Sequence, residues 1–211
     1  MRMLWTERDL DIVESLTRRL RMLSIEQLRS IWWPGAQGLR IVRRRMRTLA
    51  AAGLIERRIV NVSVLPQLRA PLITWGPGDK PPDHGEIASR AQRRFQSCAS
   101  VPQEIVSATR RAANLYGSAV FGLPPVHHRD HDLLLGEVYV HYRCARPKEA
   151  LDWRAPSSLA GDDDLPRADA VLFGTDQSAY RLIESAGRGS PKSIERFHNR
   201  CLSAACPYEL W

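Results

Sequence analysis

The segment LRIVRRRMRTLAAAGLIERRIV, residues 39–60, constrains this chain more than any other. At about 100° per residue, Leu39, Val42, Met46, Leu49 and Gly53 fall within little more than one quadrant of a helix. Arg40, Arg44 and Arg47 gather on another side, Arg43 lies near the boundary, and Arg45 and Ile41 lie further round. From Ala36 to Ala52 there are five Arg and no acid. Like charges one turn apart repel by roughly a few tenths of a kcal/mol per pair, so a helix of this kind needs cover for its apolar stripe and a counter-charge for its cationic side. The helix is expected from about Ala36 to Ala52, ending at Gly53. Leu54 to Val62 then reads as a strand, Pro66 breaks it, and Leu72 to Trp75 reads as its partner.

Two helices precede this segment. Thr6 and Asp9 mark the start of one from about Glu7 to Leu20, with Leu10, Ile12, Val13, Leu16 and Leu20 on its apolar face. Ser24-x-x-Gln27 is a capping box for the next, which buries Ile25, Leu28 and Ile31 and ends at Pro34-Gly35. Trp32 and Trp33 suit a core or a subunit interface, and Trp5 and Trp75 a core. Three helices and a two-stranded hairpin are the order of a winged helix-turn-helix, and residues 39–60 resemble the third helix and wing of that family. The resemblance implies a third helix in the DNA major groove and a wing on the backbone or minor groove. Arg40 then stands nearest a base edge, with guanine its usual target. Arg43, Arg44 and Arg47 complete the helix surface, and Arg57 and Arg58 on the wing suit phosphates.

Charge supports the same division. The first 76 residues carry 14 Arg against 6 acids, while the other 135 carry 17 basic and 17 acidic residues, so the whole net charge of +8 belongs to the N-terminal third. A codon bias toward Arg would act on both parts alike; the asymmetry points to a polyanion. The alternatives are an acidic protein partner, which makes the chain an interaction module, or a merely solvated face. DNA binding of this kind requires no cofactor.

The stretch GPGDKPPDHG from Gly76 reads as a linker, followed by helices from about Glu86 to Ser97 and from Pro102 to Tyr116. A helix is expected from about Asp130 to Tyr142. Strands follow at about Ala150–Arg154, Ala168–Phe173 and Ala179–Ile183, with turns at Gly161–Asp164 and Gly174–Asp176. Ser190-Pro191 opens a last helix with Ile194, Phe197, Cys201, Leu202 and Ala205 apolar, and Pro207–Trp211 closes as a strand. His127, His128, Asp130, His131 and Asp132 form the densest set of possible metal ligands, but consecutive side chains rarely converge on one ion, and Asp130 as a helix cap is the simpler expectation.

The order αβββαβ resembles the restriction-endonuclease-like core of the PD-(D/E)xK nucleases. The expected fold is therefore α+β: a winged helix over 1–76, a linker and connecting helices over 77–129, and a PD-(D/E)xK-like domain over 130–211. The resemblance makes Asp169 and Glu184 the Mg²⁺ ligands of an active enzyme, with Glu137 auxiliary. The family's Lys is replaced by Ala186; Lys192 is the candidate substitute, ahead of Arg181 and Arg188. A hydrolytic site needs a group to activate water, so the expectation is a nuclease-like scaffold without activity, and the alternative a Mg²⁺-dependent endonuclease or nickase.

The segments LWTERDLDIVESLTRRLRMLSIEQLRSIWW, HRDHDLLLGEVYVHY, LPRADAVLF and RLIESAGRGSP, with the Arg-rich helix, resemble the replication-relaxation family of plasmid and mobile-element proteins. That resemblance implies double-stranded DNA binding in replication, transfer or transcriptional control. A homodimer is expected. The chain has no apolar run near the roughly 18 residues of a membrane span, acquires acids early, and holds four Cys without a CxxC pair, so it is expected to be cytoplasmic and reduced.

Overall fold

The computed structural model describes residues 4–35, 38–64, 68–95, 99–119, 121–155 and 166–211. The fold is mixed α+β with two sheets. It divides into two compact units, each made of two stretches of chain: Met1–Ser63 with Ser100–Gly136, and Val64–Ala99 with Glu137–Trp211. The sequence reading instead runs its domains consecutively.

In the first unit, α1 (Glu7–Glu14) starts at a reciprocal cap in which Thr6 and Asp9 each accept from the other's backbone N–H. A π-helical turn, Ser15–Arg19, continues it. Ile12, Val13 and Leu16 are buried, whereas Leu10 is solvent-facing. Trp5, expected in the core, is also exposed, because it precedes the cap and no element covers it. Strand β1 (Met22–Ser24) leads into α2 (Ile25–Trp32) through the Ser24/Gln27 capping box. Next come α3 (Gly38–Ala51) and β2 (Ile55–Ser63). Gly53 between them has φ +71°, a conformation that costs a glycine little, and lets the Leu54 N–H bond back to Leu49.

The partner of β2 is not the Leu72–Trp75 run. That run forms β3 (Ile73–Trp75), which belongs to the other sheet. After α4 (His84–Phe95) the chain returns as β4 (Ser100–Ala108) and pairs with β2 from Ile55↔Ala108 to Ser63↔Ser100. β4 is the central strand of the order β1-β4-β2, so Ile105–Ala108 are buried in succession. Pairing on both edges overrides the helix expected from Pro102, and helix appears only as α5 (Arg110–Leu115), capped by Thr109.

Helix α6 (Arg129–Ala145) begins in the first unit and continues into the second. Asp130 is not its cap: its carboxylate accepts from the Ser63 N–H at 2.8 Å and from the Ser63 hydroxyl at 2.7 Å. In α2, Gln27 Nε2 donates to the Leu133 carbonyl of α6 at 2.8 Å. A Cβ on Gly136 would stand 2.8 Å from the Gln27 amide and displace it from its bonds to Ser24 and Leu133.

The second unit adds α7 (Pro147–Asp152), β5 (Trp153–Arg154), β6 (Ala170–Phe173), β7 (Ala179–Glu184), α8 (Pro191–Ser203) and β8 (Tyr208–Leu210). The strand expected at Ala150–Arg154 is mostly the end of α7, because Pro147 sits at the helix start and Glu149 in its first turn. The sheet order is β3-β8-β7-β6-β5. β5, β6 and β7 form an antiparallel meander, β8 lies parallel to β7 after the α8 crossover, and β3 is antiparallel at the edge. One core joins Val171, Leu182 and Tyr208 to Ile87 and Ala91 of α4 and Ile194, Phe197 and Cys201 of α8. By strand alternation Glu209 and Trp211 face the other way, onto Tyr142. Leu202 and Ala205, expected on α8's apolar face, are exposed. The turn expected at Gly161–Asp164 and the break at Pro66 lie outside the described residues.

Candidate nucleic-acid interface

Helix α3 is placed by Val42, Met46 and Leu49, all fully buried. Their position leaves Arg40, Arg43, Arg44 and Arg47 exposed and Arg45 half-buried. The five guanidinium groups then take three different roles.

Arg45 is structural. Its Nε donates to Asp9 Oδ1 at 2.6 Å, its terminal nitrogen donates to Asp9 Oδ2, and it also reaches the Leu4 carbonyl at 3.2 Å. Asp9 is 1% exposed. Burial alone would raise the Asp9 carboxyl, but hydrogen bonds from Arg45 and Thr6 and the Arg45 charge hold it below its ordinary value.

Arg43 is shared with the sheet. Glu104 of β4 accepts from Arg43 Nε at 3.1 Å and from Arg57 Nε of β2 at 2.9 Å. Burial pushes Glu104 upward, and bonds and charges from Arg57 and Arg43 overcome it, leaving the carboxyl below its usual value. Two of the six expected DNA-contact residues therefore share one carboxylate within the fold, which offsets one of their two charges. Arg58 lies 3.8 Å from Glu56 across an exposed pair, a contact of small energy.

Arg40, Arg44 and Arg47 remain. They follow i, i+4, i+7 spacing and share a side of α3, and among the described residues they have no ion-pair or hydrogen-bonding partner for their side chains. Neither Glu104 nor the Asp9–Arg45 bond was visible beforehand: Asp9 carried a capping signature that hides its second role, and Glu104 sat in a segment read as helix.

The other candidate residues lie in the second unit. The Asp169 N–H, just before β6, donates to the Ile183 carbonyl at 2.9 Å. Asp169 Oδ2 accepts from the Ser185 N–H at 2.7 Å and caps the end of β7. Ala186 is buried. Arg181 is committed to Glu149 at 2.6 Å and faces Glu209 at 3.3 Å. Lys192 is exposed on α8, in a groove that includes Pro166 but neither carboxylate. Among the described residues the donor set is thus two carboxylates, one already engaged by backbone, with Lys192 in a separate groove; a Mg²⁺-dependent hydrolytic centre needs further ligands and a group to activate water. The His127 and His128 rings lie 4.4 Å apart, tilted by 46°, in an exposed turn ahead of α6. Among the described residues no three His, Cys, Asp or Glu side chains are grouped to hold a metal ion.

Comparison with protein-family models, curated proteins and solved structures returns no match. Among the described residues no helix is long and apolar enough to cross a membrane.

Proposed function

We propose that the first unit is a winged helix-turn-helix module binding double-stranded DNA, with α3 as the recognition helix and the antiparallel β2–β4 pair as the wing. The chain would serve replication, transfer or transcriptional control of a plasmid or mobile element, as a cytoplasmic homodimer, with the second unit a nuclease-like scaffold lacking activity. The observation that carries this reading is the row Arg40, Arg44 and Arg47, which no described residue pairs, on a helix whose other side is buried. A duplex would supply the missing counter-charge and release its own counterions. The order of three helices and an antiparallel sheet around β4 supports the same reading. Arg43 and Arg57, held by Glu104, set the wing against the helix and contribute less to phosphate binding. The test is a salt titration of duplex binding by wild type and R40Q/R44Q/R47Q. The slope of log affinity against log salt should flatten by about 2–3 in the variant; an unchanged slope refutes the assignment of α3.

A second reading, a Mg²⁺-dependent endonuclease or nickase, is favoured by one placement: Asp169 is hydrogen-bonded to Ile183 and Ser185, the residues on either side of Glu184. Supercoiled plasmid incubated with Mg²⁺ or Mn²⁺ separates the two readings. Cleavage by wild type that disappears in D169A supports the enzyme, and intact plasmid supports the scaffold.

A further inference from the structure

Lys192, Arg196 and Arg200 recur at four-residue intervals on α8. That spacing stacks them on one side of the helix, about 6 Å apart along its axis. All three are exposed, and among the described residues their side chains have no ion-pair or hydrogen-bonding partner. Among the described residues they line an open groove with Pro166, Asn199, Ser203, Ala204 and one acid, Glu195. The reverse side of the helix inserts Ile194, Phe197 and Cys201 into the core of the sheet. The cations are therefore held in a fixed row, although like charges one turn apart weaken a helix. A polyanion with regularly spaced charge would reverse that cost.

We infer that this face of α8 is a second DNA-binding surface, taking the phosphodiester backbone of a duplex. The inference rests on DNA as the ligand, as proposed above, but not on α3 as the element that reads it. Charge complementarity selects the occupant: among the described residues, three cations and one amide against one carboxylate fit a phosphate strand better than an apolar or acidic-and-apolar peptide. Lys192 then acts as a phosphate cation. Its place in the groove, apart from Asp169 and Glu184, agrees with that role.

The full chain is titrated with a random-sequence duplex over a range of salt, as wild type, K192Q/R196Q/R200Q, R40Q/R44Q/R47Q and a control, R69Q/K80Q/K148Q, which removes three exposed cations elsewhere in the second unit. All substitutions are at exposed positions, and circular dichroism and melting verify the fold. The α8 variant should lose at least tenfold in affinity at low salt and flatten the slope by about 2–3, with the control near wild type. An α8 variant that matches wild type overturns the inference, as does a control that falls equally. A fall in the α3 variant alone keeps the recognition helix and rejects the α8 surface; a fall in the α8 variant alone does the reverse. Wild type that binds no duplex rejects both.

Discussion

Arg45 and Asp9, 36 residues apart in sequence, bind the third helix to the start of the first through a carboxylate that is 1% exposed. The bond takes one guanidinium out of the cationic row and makes the entry of α1 part of the support for α3. Asp9 thus closes its own helix and fastens another.

Removing Arg45 should therefore act on stability. R45M leaves a buried carboxylate without its cation, and breaking such a pair costs about 2–3 kcal/mol when one partner keeps partial access to water. Urea unfolding of R45M should show a lower midpoint with an unchanged denaturant slope. R40Q, on the same helix, should unfold like wild type.

Glu104 sets how much positive charge the wing and helix present. E104Q should release Arg43 and Arg57 and strengthen duplex binding by about 3–10-fold at low salt, with a steeper salt dependence. Equal or weaker binding by E104Q would show that both guanidinium groups act only as structural ties.

Acid should loosen the first unit through the same two carboxylates. Asp9 and Glu104 both have folded values below their ordinary ones, so their contribution is complete above about pH 4.5 and is lost as pH falls through the folded values. Melting temperatures recorded from pH 7 to pH 3 should decline below about pH 4.5 in wild type. D9N/E104Q should start lower and decline less over that interval.

The contact of Gln27 with Gly136 gives a test that is independent of charge. G136A places a methyl 2.8 Å from the Gln27 amide and should cost about 1–3 kcal/mol. Q27A/G136A should recover part of that loss relative to the sum of the single variants, because the clash is shared. Additive losses would mean that the two residues do not meet.

Local features of the sequence were legible because short-range physics decides them. The reciprocal caps at Thr6 and Ser24, the exit of α3 at Gly53, the burial of Val42, Met46 and Leu49, and the opening of α8 at Ser190-Pro191 all depend on residues within a turn or two of one another. The cationic side of α3 was legible for the same reason, since helical spacing alone separates Arg40, Arg44 and Arg47 from the apolar stripe. Strand partnership was not. Leu72–Trp75 and Ser100–Ala108 are both able to pair with β2, and only the fold, which pairs β3 with β8 and seats β4 between β1 and β2, distinguishes them. The same long-range pairing converts Pro102–Ala108 from expected helix to strand. It also brings Glu104 to Arg43 and Arg57, while helix packing brings Asp9 to Arg45. Helical spacing settles which side of α3 is charged, whereas the partners that pair Arg43 and Arg45 come from distant parts of the chain, because ion pairing depends on distance in space and not on separation along the chain.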